Sequence, residues 1–235
     1  MSTLTPVPRP IAKDLWVIHH LLKLPLGMRM PLCATLVRLA DGGLWVHSPT
    51  PLGPELATAV EALGPVRDLI APNRFHHLSI GAWSQRFPAA RIWGAPGLAE
   101  KRRDLSLTGV LGDGAAPPWS GEIAALALAG APSMNEVVFF HGASRTLVCT
   151  DLLFNVRKPA SAMTGFVLSL MGTKGRFAMS RLWRRYARDR AALKASVERM
   201  LSWDFARVIP AHGEVYESDG DARAETRAAL AWVLR

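Results

Sequence analysis

Cysteine is almost missing from this 235-residue sequence: only Cys33 and Cys149 occur, each inside an apolar, strand-like segment. That excludes a disulfide framework and fits two reduced, buried thiols, neither of them a nucleophile. No stretch approaches the roughly 18 to 20 continuous apolar residues that a membrane span needs. The opening MSTLTPVPRPIAKD lacks the apolar run of a secretory leader, so the expected location is the cytoplasm, with peripheral contact at a membrane left open. Internal repeats and low-complexity tracts are missing too, which sets aside repeat architectures. Acid is scarcest between residues 157 and 194, where Asp189 stands alone among ten Lys and Arg. That segment carries a charge of +9, equal to the formal charge of the whole chain, and the rest sums to neutral.

What is present is a composition 49% hydrophobic and 20% charged, enough to bury one large core, and a single domain over 1–235 is expected. Residues 14–21 and 33–39 read as strands, and Asp41-Gly42-Gly43 before LWVHS is a hairpin signal, so 33–48 should form an antiparallel pair. Residues 54–63 open with Pro and Glu and stop at Gly64-Pro65, the pattern of a short helix. VRDLIAP and RIWGAPG read as strands around a loop and helix start at NRFHHLSIGAW, and EIAALALAG, EVVFFHGASRTLVCTDLLF and RVIPAHG supply a second group. The Pro- and Gly-rich stretch 112–121 reads as a surface loop. Two groups of strands, each closed by helices, imply an α/β (α+β) fold: an αββα sandwich of two facing sheets with helices outside.

The order of these pieces resembles the metallo-β-lactamase superfamily over nearly the whole chain, on the strand pair ATLVRLADGGLWVHSPTP, the ligand-loop region APNRFHHLSIG, the strand end LVCTDLLF and the late VIPAHGE. It also resembles a divergent branch of unknown function, marked by Pro-Asn-x-x-His-His and Glu-Val-Val-Phe-Phe-His. The resemblance implies two metals that acidify a shared water, but the ligand set is depleted. The four positions of the family's His-x-His-x-Asp-His motif fall on Pro72, Arg74, His76 and His77, and a further His position falls on Ala131 or Pro132. The first metal site is then left without ligands, and Arg74 brings a positive charge to it. His76, His77, Asp151 and His212 remain as potential ligands for one Zn, Fe or Mn ion at the second site. Equally, Asp151 and His212 persist as hydrogen-bonding groups at the sheet ends, with no metal.

Three further residues are candidates for catalysis. Asn73 and Glu136 sit where family ligand loops run, and a carboxylate there replaces a lost imidazole or serves as a general base; a lone Glu at a strand start is otherwise solvated. His47, where the family carries a supporting Asp, is either a donor to a ligand or a loop residue capping backbone groups. His19, His20 and His141 lie in or at the ends of apolar strands and read as structural.

A basic helical insertion is expected at about 157–194, and residues 176–201 read as a helix. Met179, Leu182, Trp183, Tyr186, Leu193, Val197 and Met200 fall near one stripe, with Arg181, Arg184, Arg185 and Arg188 elsewhere around it. A core-covering helix with a solvated basic face is one reading. An anionic partner is the other: a membrane surface, since the apolar GFVLSLMG (165–172) precedes it, or an anionic substrate drawn to the sandwich mouth. Nucleic acid is disfavoured, because Phe177, Trp183 and Tyr186 do not form a stacking row. Two functions therefore stand: a mononuclear metal-dependent hydrolase of ester, thioester or phosphoester bonds, and a non-catalytic binding protein that uses the emptied pocket or the basic helix.

Overall fold

The computed structural model describes residues 7–112 and 116–235. The first half builds a seven-stranded sheet in sequence order. β1 (Arg9–Ala12), β2 (Leu15–Lys23), β3 (Arg29–Arg38) and β4 (Leu44–His47) are antiparallel neighbours. After α1 (Pro54–Glu61), the strands β5 (Val66–Ala71), β6 (Arg91–Gly94) and β7 (Gly109–Val110) continue it in parallel, with α2 (Ile80–Arg86) and α3 (Leu98–Lys101) as connections. The hairpin over 33–48 forms as the Gly-Gly turn predicts: Gly42 takes φ +80, and the Asp41 carboxylate accepts from the Gly43 amide at 2.8 Å.

The second sheet starts with the meander β8 (Ile123–Ala127), β9 (Val137–His141) and β10 (Thr146–Cys149). An excursion follows through β11 (Phe154–Asn155), α4 (Ala162–Met171), β12 (Phe177–Ala178), α5 (Trp183–Tyr186) and α6 (Arg190–Leu201). The chain returns as β13 (Arg207–Pro210), parallel beside β10, then β14 (Tyr216–Glu217), α7 (Ala222–Ala229) and α8 (Ala231–Leu234). The strand order is β14-β13-β10-β9-β8.

Both sheets are apolar on both faces, which forces four layers. Val17, Val37, Trp45 and Ile70 meet Ile123, Val137, Phe139 and Ile209 between the sheets. Ile18, Leu36, Val46 and Leu69 face Leu56 and Val60 of α1 and Trp83 of α2 outside the first sheet. Val138, Leu147 and Val208 face Leu193, Val197 and Met200 of α6 outside the second. This is the expected αββα sandwich. Its parallel strands β5, β10 and β13 release their C-terminal loops at one end, and the site lies there.

Three local expectations change. Residues 176–201 are not one helix: Phe177–Ala178 pairs as β12 with β11, α5 and α6 are separate, and the amides of Arg188 and Asp189 both donate to the Gly130 carbonyl (2.8 and 3.0 Å), holding 187–189 out of helical geometry. The GFVLSLMG segment is no simple patch; it is most of α4, capped at its start by Ser161 and at its end by Gly172. The expected surface loop over 112–121 lies partly outside the described residues, and Trp119 within it is buried against Trp45, Trp93 and Phe139. Among the described residues, no helix is long and apolar enough to cross a membrane.

Candidate metal centre

Three loops deliver the polar cluster. After β5, the Asn73 side chain closes a turn, its Oδ1 accepting from the amides of Phe75 (2.9 Å) and His76 (2.7 Å), and this turn presents His76. After β10 comes Asp151, and after β13 comes His212, followed by Gly213, where both φ +106 and the lack of room for a Cβ, which would sit 2.2 Å from the Asn155 carbonyl oxygen, call for glycine. The two imidazole Nε2 atoms lie 3.1 Å apart, His76 Nε2 is 3.5 Å from Asp151 Oδ2, and His212 Nε2 is 3.3 Å from Asp151 Oδ1. Asp151 and His212 thus share one end of the sheets, as the family frame requires. Among the described residues, His76, Asp151 and His212 are the one grouping of three His, Cys, Asp or Glu side chains close enough to hold an ion.

The donors fit a small divalent cation. Bonds of about 2.0 to 2.1 Å in tetrahedral geometry put ligand atoms roughly 3.3 Å apart; the two Nε2 atoms stand near that separation, and each is near that distance from one of the two Asp151 oxygens, Oδ2 for His76 and Oδ1 for His212. Their outward atoms are engaged as metal-binding side chains require. His212 Nδ1 donates to the Pro31 carbonyl at 3.0 Å, leaving Nε2 as the lone-pair atom. His76 Nδ1 lies 2.8 Å from the Ser48 hydroxyl, and Asn73 Nδ2 donates to Asp151 Oδ2 at 2.6 Å. Trp183 Nε1 donates to the Asp151 carbonyl at 2.7 Å.

Electrostatics follow from this packing. Burial raises the Asp151 carboxyl pKa, but the His76 charge and the His212 and His76 hydrogen bonds outweigh it and hold it well below the usual carboxylate range. For His212, burial pulls downward, while the hydrogen bond to Asp151 and its charge reverse the sign and raise it. Burial, reinforced by the Asp151 charge and opposed by backbone amides, lifts Glu136 to about 7.

Other expected site residues go elsewhere. His77 does not join the cluster. Arg102 Nη1 donates to its Nδ1 at 2.9 Å, and burial together with Lys101 and Arg102 lowers its pKa to about 4. Arg74 lies beside Gly97 and is not among the residues that line the hollow around the cluster. Pro72 accepts from the Val137 amide through its carbonyl, and Ala131 is buried. Glu136 is not solvated. It is fully buried and accepts from three consecutive amides, Thr150 (2.8 Å), Asp151 (3.0 Å) and Leu152 (3.1 Å), so it braces the Asp151 loop and neither replaces an imidazole nor faces substrate as a base. Asn73 likewise positions, tying its turn to Thr150 and Asp151.

His47 is the last residue of β4 and not a loop residue. It stacks on Trp45 at 5.6 Å, neither ring nitrogen has a hydrogen-bond partner among the described residues, and burial lowers its pKa to about 3. The support expected of it comes from the next residue, Ser48, which the sequence reading missed; its φ of +50 is unusual for serine, and no motif flags it. His19 and His20 lie on β2, and His141 bonds Ser144; none reaches the cluster. Cys33 and Cys149 are free and buried, and burial raises both thiols, Cys33 to about 12.

The cluster lies in the wall of a cavity of about 300 Å³ whose other walls are chiefly aliphatic and aromatic: Leu22, Leu24, Met30, Met134, Phe154 and Met171 among them. Phe75, Leu78 and Leu182, which also line it, are 44%, 73% and 46% exposed.

No curated protein matches the sequence. Among solved structures, a metallo-β-lactamase from Hirschia baltica superposes with a TM-score of 0.65 at 12% identity, covering 97% of each chain. The metallo-β-lactamase FIM-1 from Pseudomonas aeruginosa, in its mono-zinc form, does so at 0.62 and 12% over 97% of this chain and 92% of its own. The metal-soaked Flv1 flavodiiron core from Synechocystis sp. PCC6803 gives 0.62 and 13%, over 96% of this chain and 60% of that one. These likenesses establish the metallo-β-lactamase fold. The sequence matches the family described as Domain of unknown function (DUF4336) over residues 12–176, and to that family this chain belongs.

Proposed function

We propose that this protein is a metal-dependent hydrolase that holds one divalent ion on His76, Asp151 and His212 and cleaves an ester or thioester bearing an apolar group. The observation that carries the reading is the convergence of three metal-ligating side chains, one donor atom from each within 4.8 Å of the others, in the wall of an otherwise apolar cavity. A Zn, Fe or Mn ion there supplies Lewis acidity and makes a water acidic enough to use near neutral pH. Ser48, the Pro31 carbonyl and Asn73 keep the three side chains oriented. The leucine and methionine walls take the apolar part of the substrate and exclude bulk water. A phosphoester fits less well, since a charged phosphate in such walls loses hydration without donors to replace it.

His77 has its own part. Arg102 can only donate, so His77 Nδ1 accepts and the imidazole proton sits on Nε2. With its pKa near 4, the ring is neutral at pH 7, and because His77 lines the cavity its N–H is the donor we assign to a substrate carbonyl oxygen.

One observation favours the non-catalytic alternative. His76, His212 and Asp151 also close a hydrogen-bonded set by themselves, which would leave the cavity as a binding site for an apolar ligand. Metal analysis of untagged protein loaded with Zn, Fe or Mn, followed by turnover of nitrophenyl esters, separates the two. One ion per chain, lost in Asp151→Ala together with turnover, is expected; two ions or none after loading rejects the mononuclear site.

A further inference from the structure

A second hollow, of about 940 Å³, shares the segment 171–184 with the first cavity: Met171, Leu182 and Trp183 line one, Gly172, Arg181 and Arg184 the other, and Ser180 both. Six arginines line it, Arg157, Arg176, Arg181, Arg184, Arg190 and Arg235, against one acid, Glu225. Six of the arginines elsewhere are paired with carboxylates: Arg38 with Asp14, Arg86 with Glu61, Arg91 with Asp68, Arg102 with Asp104, Arg145 with Asp204 and Arg207 with Glu217. Around the hollow, none of the six makes an ion pair among the described residues. Glu225 is itself engaged by the Tyr216 hydroxyl at 2.5 Å.

Several guanidinium groups are held in place while their outer nitrogens stay free. Arg157 donates through Nε to Asn155 Oδ1 at 3.1 Å, and Arg176 through Nε to the Gly172 carbonyl at 2.8 Å. Arg184 and Arg190 lie over the Trp232 ring, 5.7 and 5.2 Å from its centre. Phe177 stacked on Tyr216 at 3.8 Å makes another part of the wall. Six like charges gathered at one concavity repel one another and focus a strongly positive potential, and a multiply charged anion relieves both effects. Planar forks match phosphate oxygens two at a time.

The geometry points to a binding site in this hollow for a small, multiply phosphorylated anion. A concavity lined by fixed guanidinium groups suits a compact ligand, whereas a membrane or a nucleic-acid strand calls for an open face or an extended track. Of the basic residues that the sequence assigns to an anionic partner, Arg181 and Arg184 belong to this site, while Arg185 and Arg188 do not line it. The inference is independent of the hydrolase reading, since none of these residues touches the His76–Asp151–His212 cluster.

The test is calorimetric titration of the full chain with tripolyphosphate and with orthophosphate, at low salt and at 0.3 M salt, beside sedimentation with anionic phosphatidylserine vesicles. One tripolyphosphate per chain is expected, at least tenfold tighter than orthophosphate and weakened by salt. The double reversal Arg184→Glu/Arg190→Glu should weaken it at least tenfold, whereas Arg185→Glu/Arg188→Glu, with the same charge change on the same segment, should stay within about twofold. Should the first pair disturb folding, Arg181→Gln, which removes one exposed fork, is read instead and should weaken binding severalfold. Equal weakening by both pairs, absence of saturable tripolyphosphate binding, or vesicle capture without tripolyphosphate binding overturns the proposal.

Discussion

Ser48 and His47 are adjacent, yet they contribute to different properties of the protein. Ser48 holds the outer nitrogen of His76 from a backbone conformation that costs energy, so its hydroxyl should matter for metal affinity more than for folding. Ser48→Ala is expected to weaken Zn binding by about 10- to 100-fold, measured by chelator competition, with little change in the unfolding midpoint. His47 instead should make stability depend on pH. Its folded pKa, near 3, lies below the ordinary value of about 6.5, so on acidification the unfolded chain takes up the proton first. Stability should therefore fall as pH drops from about 6.5 towards 3, by ~1.4 kcal/mol per pH unit from this residue. Urea unfolding between pH 7 and 4 should show a shallower decline in His47→Leu than in the parent. The resemblance made Asp151 and His212 legible because both keep the residue type that the family has at those positions, whereas His76 stands at the motif's Asp position and entered only as one of two adjacent histidines. It did not tell His76 from His77, since successive side chains diverge and only Arg102, brought in by folding, shows which one turns away. Nor did it separate Ser48 from His47, a matter of where β4 ends.

Elements with a clean period were legible, and those set by a distant partner were not. The hairpin over 33–48, α1 and the two strand groups follow from turn chemistry and alternation that act within a few residues. The break at 187–189 does not, because its cause is the carbonyl of Gly130, some sixty residues earlier. Gly130 takes φ +80, and a Cβ there would lie 2.0 Å from the Asp189 carbonyl oxygen. Gly130→Ala should destabilise by about 2 kcal/mol or more, since strain and backbone collision act together. Asp189 accepts from the Ala192 amide at the start of α6, and Asp189→Ala should cost about 1 kcal/mol. Chemical denaturation of both variants checks the ranking, and a Gly130→Ala variant as stable as the parent would show that the contact does not shape this segment. The same break explains why the stripe from Met179 to Met200 divides: Leu193, Val197 and Met200 cover the second sheet, while Leu182 and Tyr186 line the cavity.

At the scale of the whole molecule, an ion bound only by the folded state must stabilise it. Zn at 100 times its dissociation constant should add ~2.7 kcal/mol to the unfolding free energy, and this gain should vanish in Asp151→Ala. The four-layer architecture was legible because two doubly apolar sheets admit few other arrangements. The location of free charge was not, because pairing between Arg and acid is decided by tertiary neighbours; composition alone places the +9 in one segment without dividing Arg184 from Arg185. The Glu136 clasp also bears on how the proposed metal centre would come into being. Its three amide hydrogen bonds lie in the interior and use no atom of the ion's ligand set. The Asp151 loop is thus ordered by the closure of β9 on β10, and an ion bound as proposed would meet a preorganised carboxylate instead of having to assemble one. Amide hydrogens of Thr150, Asp151 and Leu152 should consequently exchange with deuterium almost as slowly in metal-free protein as in loaded protein, opening only with the second sheet itself.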